Sequence, residues 1–232
     1  MSGDEYKKHL EGLISEFVVL QESCKDFQKK MAEIGTALLN CDYQLKNSRG
    51  EEVTITPLWI EAYYFHGENY HPKDSACHRN AKQKTEKWQL YFHRKDRESQ
   101  NKDGGSRPNR KDGVDICLPV KKKSDIEEIC FSFLIKRCEI DGDRYLQTKE
   151  CITNGNQPKK SPLSIEGRLS DFSDSETTVS LVEQAGAKSN KNRIKQIVRS
   201  GLSSEIDQPW GFYRADCLAP KISISMSWVK PR

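Results

Sequence analysis

The sequence has no apolar stretch of membrane-spanning length, so no membrane partner is expected. It has no C-x-x-C pair, although it carries eight cysteines: Cys24, Cys41, Cys77, Cys117, Cys130, Cys138, Cys151 and Cys217. That spacing argues against a zinc ribbon and against a secreted disulfide framework. Several of these cysteines sit inside apolar runs, where a thiol serves as a small core residue in a reducing compartment. No internal repeat is visible. Apolar residues are scarce, at 35%, against 31% charged. This composition implies a modest core under a heavily charged surface. The N-terminal stretch is polar and acidic and lacks a signal-peptide apolar core, so a cytoplasmic location is expected.

What is present is a chain of 232 residues with a formal net charge of +4. That length suits one domain, or one domain with an added piece. Basic residues gather at residues 79–84, 93–111, 121–123 and 188–199, whereas Asp171, Asp174 and Glu176 stand apart from them. Basic clusters that converge on one face can track a phosphate backbone. Solvated, scattered charge is the plain alternative.

Residues 4–39 have helical periodicity, with Leu10, Leu13, Ile14, Phe17 and Val18 followed by Phe27, Met31, Ile34 and Leu38. One broken helix or two helices are expected. From Cys41 the period becomes two. Tyr43 and Leu45 precede a turn at Asn47, Ser48, Arg49 and Gly50, and Val53 and Ile55 open a second strand. Pro57 predicts a bulge or an edge. Beyond it, Leu58, Ile60, Ala62 and Tyr64 share one strand face, and Trp59, Glu61, Tyr63 and Phe65 share the other. Residues 87–93 repeat the pattern, with Gln89, Tyr91 and His93 opposite Trp88, Leu90 and Phe92. Residues 94–112 read as a long charged loop. Residues 114–118 and 129–137 are further strand candidates, 153–177 reads as loop, and 178–200 is ambiguous. Ile222, Ile224, Met226 and Trp228 predict a final strand. The expected class is α+β: a single domain with a curved antiparallel β-sheet and an N-terminal helical segment over residues 1–35, the rest forming one catalytic unit over 36–232.

A glutamate between aromatics on one strand face either points to solvent or lines a pocket. Glu61 and Tyr63 can hold a flat ligand beside a carboxylate able to activate water, and Asp74 and His78 follow closely. His78 reads as either a satisfied core histidine or a pocket wall. Tyr91 reads equally as core or pocket. Lys136 either touches a phosphate or ends a strand. His66 and His71, in a polar loop, read as solvated, though with Asp74 and His78 they could imitate a metal site.

These landmarks resemble the 3-methyladenine (alkyladenine) DNA glycosylase family. Leu38, Leu39 and Asn40 stand at its Leu-Leu-Gly step, and Glu61, Ala62 and Tyr63 at its E-A-Y strand. Asp74 and His78 match D-x-x-x-H. Leu90 to His93 is similar to its L-Y-V-Y strand, residues 113–117 to its G-x-x-x-C segment, and Phe133 to Lys136 to its V-L-I-R strand. Asn154 and Gly155 with Leu163 and Ile165, Arg193 with Ile194, and residues 209–213 complete an ordered set over residues 36–225.

The resemblance implies a barrel like the C-terminal domain of formyltransferases. It also implies a monofunctional glycosylase acting on double-stranded DNA as a monomer, without metal or organic cofactor. Glu61 would be the general base. Tyr63, His78, His93 and Tyr91 would form the base pocket, and Lys136, Arg193, Lys195, Arg107 and Arg110 would meet DNA. No lysine matches a Schiff-base nucleophile, so base removal without strand cleavage is expected. The chain also departs from the family: Pro119 replaces an asparagine, Asp112 a wedge tyrosine, Gly211 an arginine, and residues 65–71 and 94–112 are expanded. A bulkier substrate is therefore expected, including hypermodified bases of phage genomes in a defence setting. The alternatives are a non-catalytic nucleic-acid-binding protein on the same fold and a metal-dependent nuclease using Asp74, Asp115 and His78.

Overall fold

A computed structural model describes residues 3–20, 25–67, 77, 79, 82–93, 113–121, 128–146, 164–184, 194–197, 199 and 209–215. The chain opens with two helices, α1 (Gly3–Val18) and α2 (Lys25–Leu39). Among the described residues nine strands follow: β1 (Cys41–Lys46), β2 (Glu52–His66), β3 (Gln89–Phe92), β4 (Val114–Cys117), β5 (Ile129–Ile140), β6 (Asp143–Leu146), β7 (Thr178–Glu183), β8 (Ile194–Ile197) and β9 (Gly211–Arg214). They form one antiparallel sheet, curled into a half-barrel, along the path β3-β4-β5-β2-β1-β7. Strand β6 pairs with β5, and β9 joins β2 to β8. The molecule is thus α+β with an N-terminal helical segment.

The long pair β2·β5 is the spine of the sheet, in register from Ile55↔Ile140 to His66↔Ile129. Pro57 lies where the β1 partnership has ended at Tyr43↔Ile55 and that with β9 has not begun at Trp59↔Tyr213. A residue without an N–H costs no ladder bond in such a gap. The β5 register slips beside it, between Pro57 and Ile60.

Both helices bury one stripe on the same sheet face. From α1 come Tyr6, Leu10, Ile14, Phe17 and Val18, and from α2 Phe27, Met31, Ile34, Leu38 and Leu39. They meet Ile60, Ala62 and Tyr64 of β2, Leu90 and Phe92 of β3, and Phe131, Phe133 and Ile135 of β5. The centre is aromatic: Phe17 stacks on Phe131 (4.9 Å), lies 4.3 Å from Phe27 and meets Tyr64 edge-on. Polar tips at this layer are satisfied. The Tyr6 hydroxyl donates to the Ala37 carbonyl (2.7 Å), Trp88 Nε1 to Glu11, and Trp210 Nε1 to Gln28.

The region read as loop over 153–177 contains, in its described part, a short helix α3 (Ile165–Arg168) and a 3-10 turn (Ser170–Phe172). Ser164 caps α3 by accepting from the Gly167 N–H (3.0 Å). Ile165, Leu169 and Phe172 enter the main core, and such short stretches give too few residues for a period to show. The ambiguous stretch 178–200 supplies β7 and β8. Val179 and Leu181 of β7 alternate inward as β1 partners. The strand expected at residues 222–228 lies outside the described residues.

Cys41 hydrogen-bonds the Leu38 carbonyl, and burial pushes its thiol up to about 12. Burial also drives the Cys138 thiol and the Tyr6 and Tyr43 phenols well above their ordinary ranges. These groups ionise more readily in the unfolded chain. The thiols' contribution to stability is complete below about pH 8.5 and the phenols' below about pH 10, and each is lost as pH rises further, at about 1.4 kcal/mol per pH unit per group. Urea midpoints should therefore fall between pH 7.5 and 10.5, and fall less in Cys41→Ala; equal midpoints across that range would refute the burial argument.

Gly35 of α2 sits against the Phe212 ring, whose carbons would lie 2.6–2.7 Å from an added Cβ. Gly35→Ala gains about 1 kcal/mol of helix propensity but overpacks a buried aromatic contact at about 1–3 kcal/mol. A net loss in melting temperature is expected, with recovery in Gly35→Ala/Phe212→Leu.

Candidate active site

The sheet face turned away from the helices is polar but buried. Alternation places Glu61 and Tyr63 there from β2, Tyr91 from β3 with His93 just past its end, Asp115 from β4, and Ser132, Leu134 and Lys136 from β5, because their neighbours face the core. Register aligns four of them in one row across the strands: Tyr91↔Asp115, Asp115↔Leu134, Leu134↔Glu61, and then Glu61↔Gly211. Five residues predicted for the site, Glu61, Tyr63, Tyr91, His93 and Lys136, therefore share one face.

Two charged centres occupy it. In the first, Glu61 is 0% exposed. Its Oε2 accepts from the Tyr63 hydroxyl (3.3 Å) and lies 3.9 Å from Lys136 Nζ, itself nearly buried. Lys136 also stands 5.8 Å from the centre of the Trp59 ring, which Arg137 approaches at 5.7 Å.

In the second, Asp115 is 1% exposed. Its Oδ2 accepts from Gln83 Nε2 (2.8 Å) and Ser132 Oγ (2.9 Å), and its Oδ1 meets His93 Nε2 at 2.7 Å. With both acceptors so engaged, His93 presents Nε2–H to Asp115. Its ring lies 5.1 Å from that of Tyr91.

Arg199 was not predicted. It belongs to the basic run read as surface charge, yet it is buried. Its guanidinium lies 4.9 Å from the centres of both Tyr63 and Trp210, and Nη1 donates to the Ala62 carbonyl (2.9 Å). Beside it, Phe65, Cys77 and Cys130 form a small apolar cluster with Tyr63, and Arg79 covers the Phe65 ring at 4.8 Å.

Lys195 is exposed on β8, opposite Tyr213. His78, Arg193, Arg107 and Arg110 lie outside the described residues, as do Asp74 and His71. Among the described residues, no group of three or more His, Cys, Asp or Glu is placed to hold a metal ion. Ser132 and Gln83 were missed as site members, and Asp115 was considered only as a metal ligand of a nuclease. Asp115 and Ser132 had a signal: each is a lone polar residue between large apolar neighbours in a strand. Gln83 had none, since it reaches Asp115 from outside the strands.

Gly211 has a local reason. A Cβ there would stand 2.9 Å from the Ile197 side chain and 3.0 Å from its carbonyl. Any larger residue at this position, including the arginine of the resembled family, would require Ile197 of β8 to shift.

No protein-family model matches this sequence, and no curated protein matches it significantly. Among the described residues, no helix is long and apolar enough to cross a membrane.

The Glu61–Lys136 pair is testable as a buried ion pair. Lys136→Met leaves an uncompensated buried carboxylate and should cost about 3 kcal/mol in urea unfolding. Glu61→Gln/Lys136→Met should cost less than the two single changes together. Additive losses would mean the two groups do not sense each other.

Proposed function

We propose that this chain is a DNA glycosylase that hydrolyses the N-glycosidic bond of a modified base in double-stranded DNA. The observation carrying this reading is Glu61, a buried carboxylate at mid-sheet on the non-core face, 3.3 Å from an aromatic hydroxyl and 3.9 Å from an ammonium. Glu61 takes a proton from water as the water oxygen attacks C1′, and the glycosidic electron pair leaves with the base. Tyr63, Tyr91 and His93 are the rings against which an extruded base would stack. Water, not an amine, displaces the base, so this step is monofunctional and leaves an abasic site. The same reading carries the formyltransferase-like barrel, which the curled antiparallel sheet supports.

Because Glu61 has no exposure, the face must open to admit a nucleoside. That one fact favours a second reading, a nucleic-acid-binding protein on the same fold without the chemistry. The altered positions Gly211, Pro119 and His93 support a base other than the simple alkylated purines, including bulky modified pyrimidines of phage DNA.

Mass spectrometry of bases released from duplexes carrying alkylated purines or bulky modified pyrimidines tests the choice. Release is expected from at least one, with a fall of about 10²–10⁴-fold in Glu61→Gln and DNA binding retained. Binding without release by the wild type on every duplex would establish the second reading. Circular dichroism melts must show Glu61→Gln folded, and Tyr63→Phe gives a milder check on the same carboxylate.

A further inference from the structure

The product of base removal is an abasic sugar whose ring-opened form carries an aldehyde at C1′. The candidate site places an amine beside the carboxylate aimed at that carbon. Lys136 Nζ lies 3.9 Å from Glu61 Oε2, with side-chain exposures of 6% and 0%. The resembled family ends the corresponding V-L-I-R strand with arginine, and this chain ends it with lysine. The exchange is not conservative: a guanidinium stays charged and does not act as a nucleophile, whereas a lysine amine forms Schiff bases with carbonyls. An ammonium kept in a buried strand position is costly without a use for it or a partner, and here it is held over Trp59 at the edge of the register slip in β2·β5.

We infer that Lys136 makes this protein an abasic-site lyase as well, cutting the strand 3′ to the sugar that Glu61 has cleared. This inference rests on the glycosylase reading for its natural substrate but not for its test. The sequence alone had pointed to base removal without strand cleavage.

The chemistry balances within the pair. Glu61 takes one proton from the Lys136 ammonium, freeing the nitrogen lone pair. The amine attacks C1′ to give a carbinolamine. Glu61 returns the proton to the carbinolamine hydroxyl, which departs as water, and a C1′ iminium remains. The carboxylate, ionised again, removes a proton from C2′. The C3′–O bond then breaks, and the 3′-phosphate leaves with its electron pair and takes the C2′ proton from Glu61, restoring the carboxylate. Water hydrolyses the iminium, regenerating Lys136 and releasing an unsaturated aldehyde on the cut strand. No oxidant or reductant is consumed. Tyr63, which donates to the same Oε2, is a positioning residue for the carboxylate.

A duplex containing a preformed abasic site tests the step without knowledge of the excised base. Incubating the full-length protein with it in sodium borohydride should reduce the iminium and leave a covalent protein–DNA adduct. Without borohydride, the strand should be cut. Peptide mapping of the wild-type adduct should place the DNA on Lys136. Lys136→Arg, folded by circular dichroism, should give no adduct, and Glu61→Gln should form it more slowly. No adduct from the wild type, an adduct mapped to another lysine, or an undiminished adduct in Lys136→Arg would each overturn the lyase. Because mapping uses the wild type, a misfolded variant does not spoil the test. Base release from modified duplexes without trapping would leave the glycosylase intact and remove only the lyase.

Discussion

The pairing of β2 with β5 is the constraint on which the rest depends. These two long strands run side by side from Ile55↔Ile140 to His66↔Ile129, and each has two faces of opposite chemistry. On one, Ile60, Ala62, Tyr64, Phe131, Phe133 and Ile135 accept the two helices. On the other, Glu61, Tyr63, Ser132 and Lys136 lie together. A slip of one residue would exchange the faces, driving charges into the aromatic core and aromatic rings off it. The penalty for that exchange fixes the register, and the register assembles the polar face. Stability and site geometry therefore share one cause.

The polar face would be hard to explain as packing alone. Replacing a buried ion pair by apolar residues of similar volume is often neutral or stabilising, whereas removing one partner is costly. Glu61 with Lys136 at 3.9 Å is a loose pair by that standard. Asp115 is different: it has three close partners in Gln83, Ser132 and His93, which is how a fully satisfied buried network holds one arrangement. The two centres thus divide the work. Asp115 fixes β3, β4, β5 and the Gln83 segment to one another. Glu61 and Lys136 bring a carboxylate and an amine within 3.9 Å of each other on the same face.

How much of this was legible followed from the length of each signal. The helical stripe of residues 4–39 and the period-two run from Leu58 to Phe65 are long enough to be read, and Pro57 marked its irregularity in advance. Alternation paired Glu61 with Tyr63 and Tyr91 with His93; joining these pairs and Lys136 into one site came from the family resemblance, because a period within a strand does not say which face of the next strand it meets. The Asp115 network was not legible. Two of its members had a local clue, but the contact with Gln83 spans 32 positions, and no period carries such information. Arg199 misled for a related reason: a cation in a basic run looks solvated until rings from two other segments enclose it. The short elements α3 and β8 fell below the length at which periodicity separates helix from strand.

The burial of Glu61 shapes what either functional reading demands. A ligand that binds only an opened form sees its affinity reduced by the fraction of molecules open. An undamaged, well-stacked nucleotide must meet that cost in addition to unstacking, which itself takes a few kcal/mol. A mismatched or bulky base, already poorly stacked, meets less of the second cost and can supply more contact to offset the first. A closed polar face is thus selective before any contact to the base is made. On the glycosylase reading, selectivity would be set by the opening equilibrium as much as by the rings of the pocket, and the wedge and screening residues missing from Asp112 and Pro119 would matter less than their absence suggests.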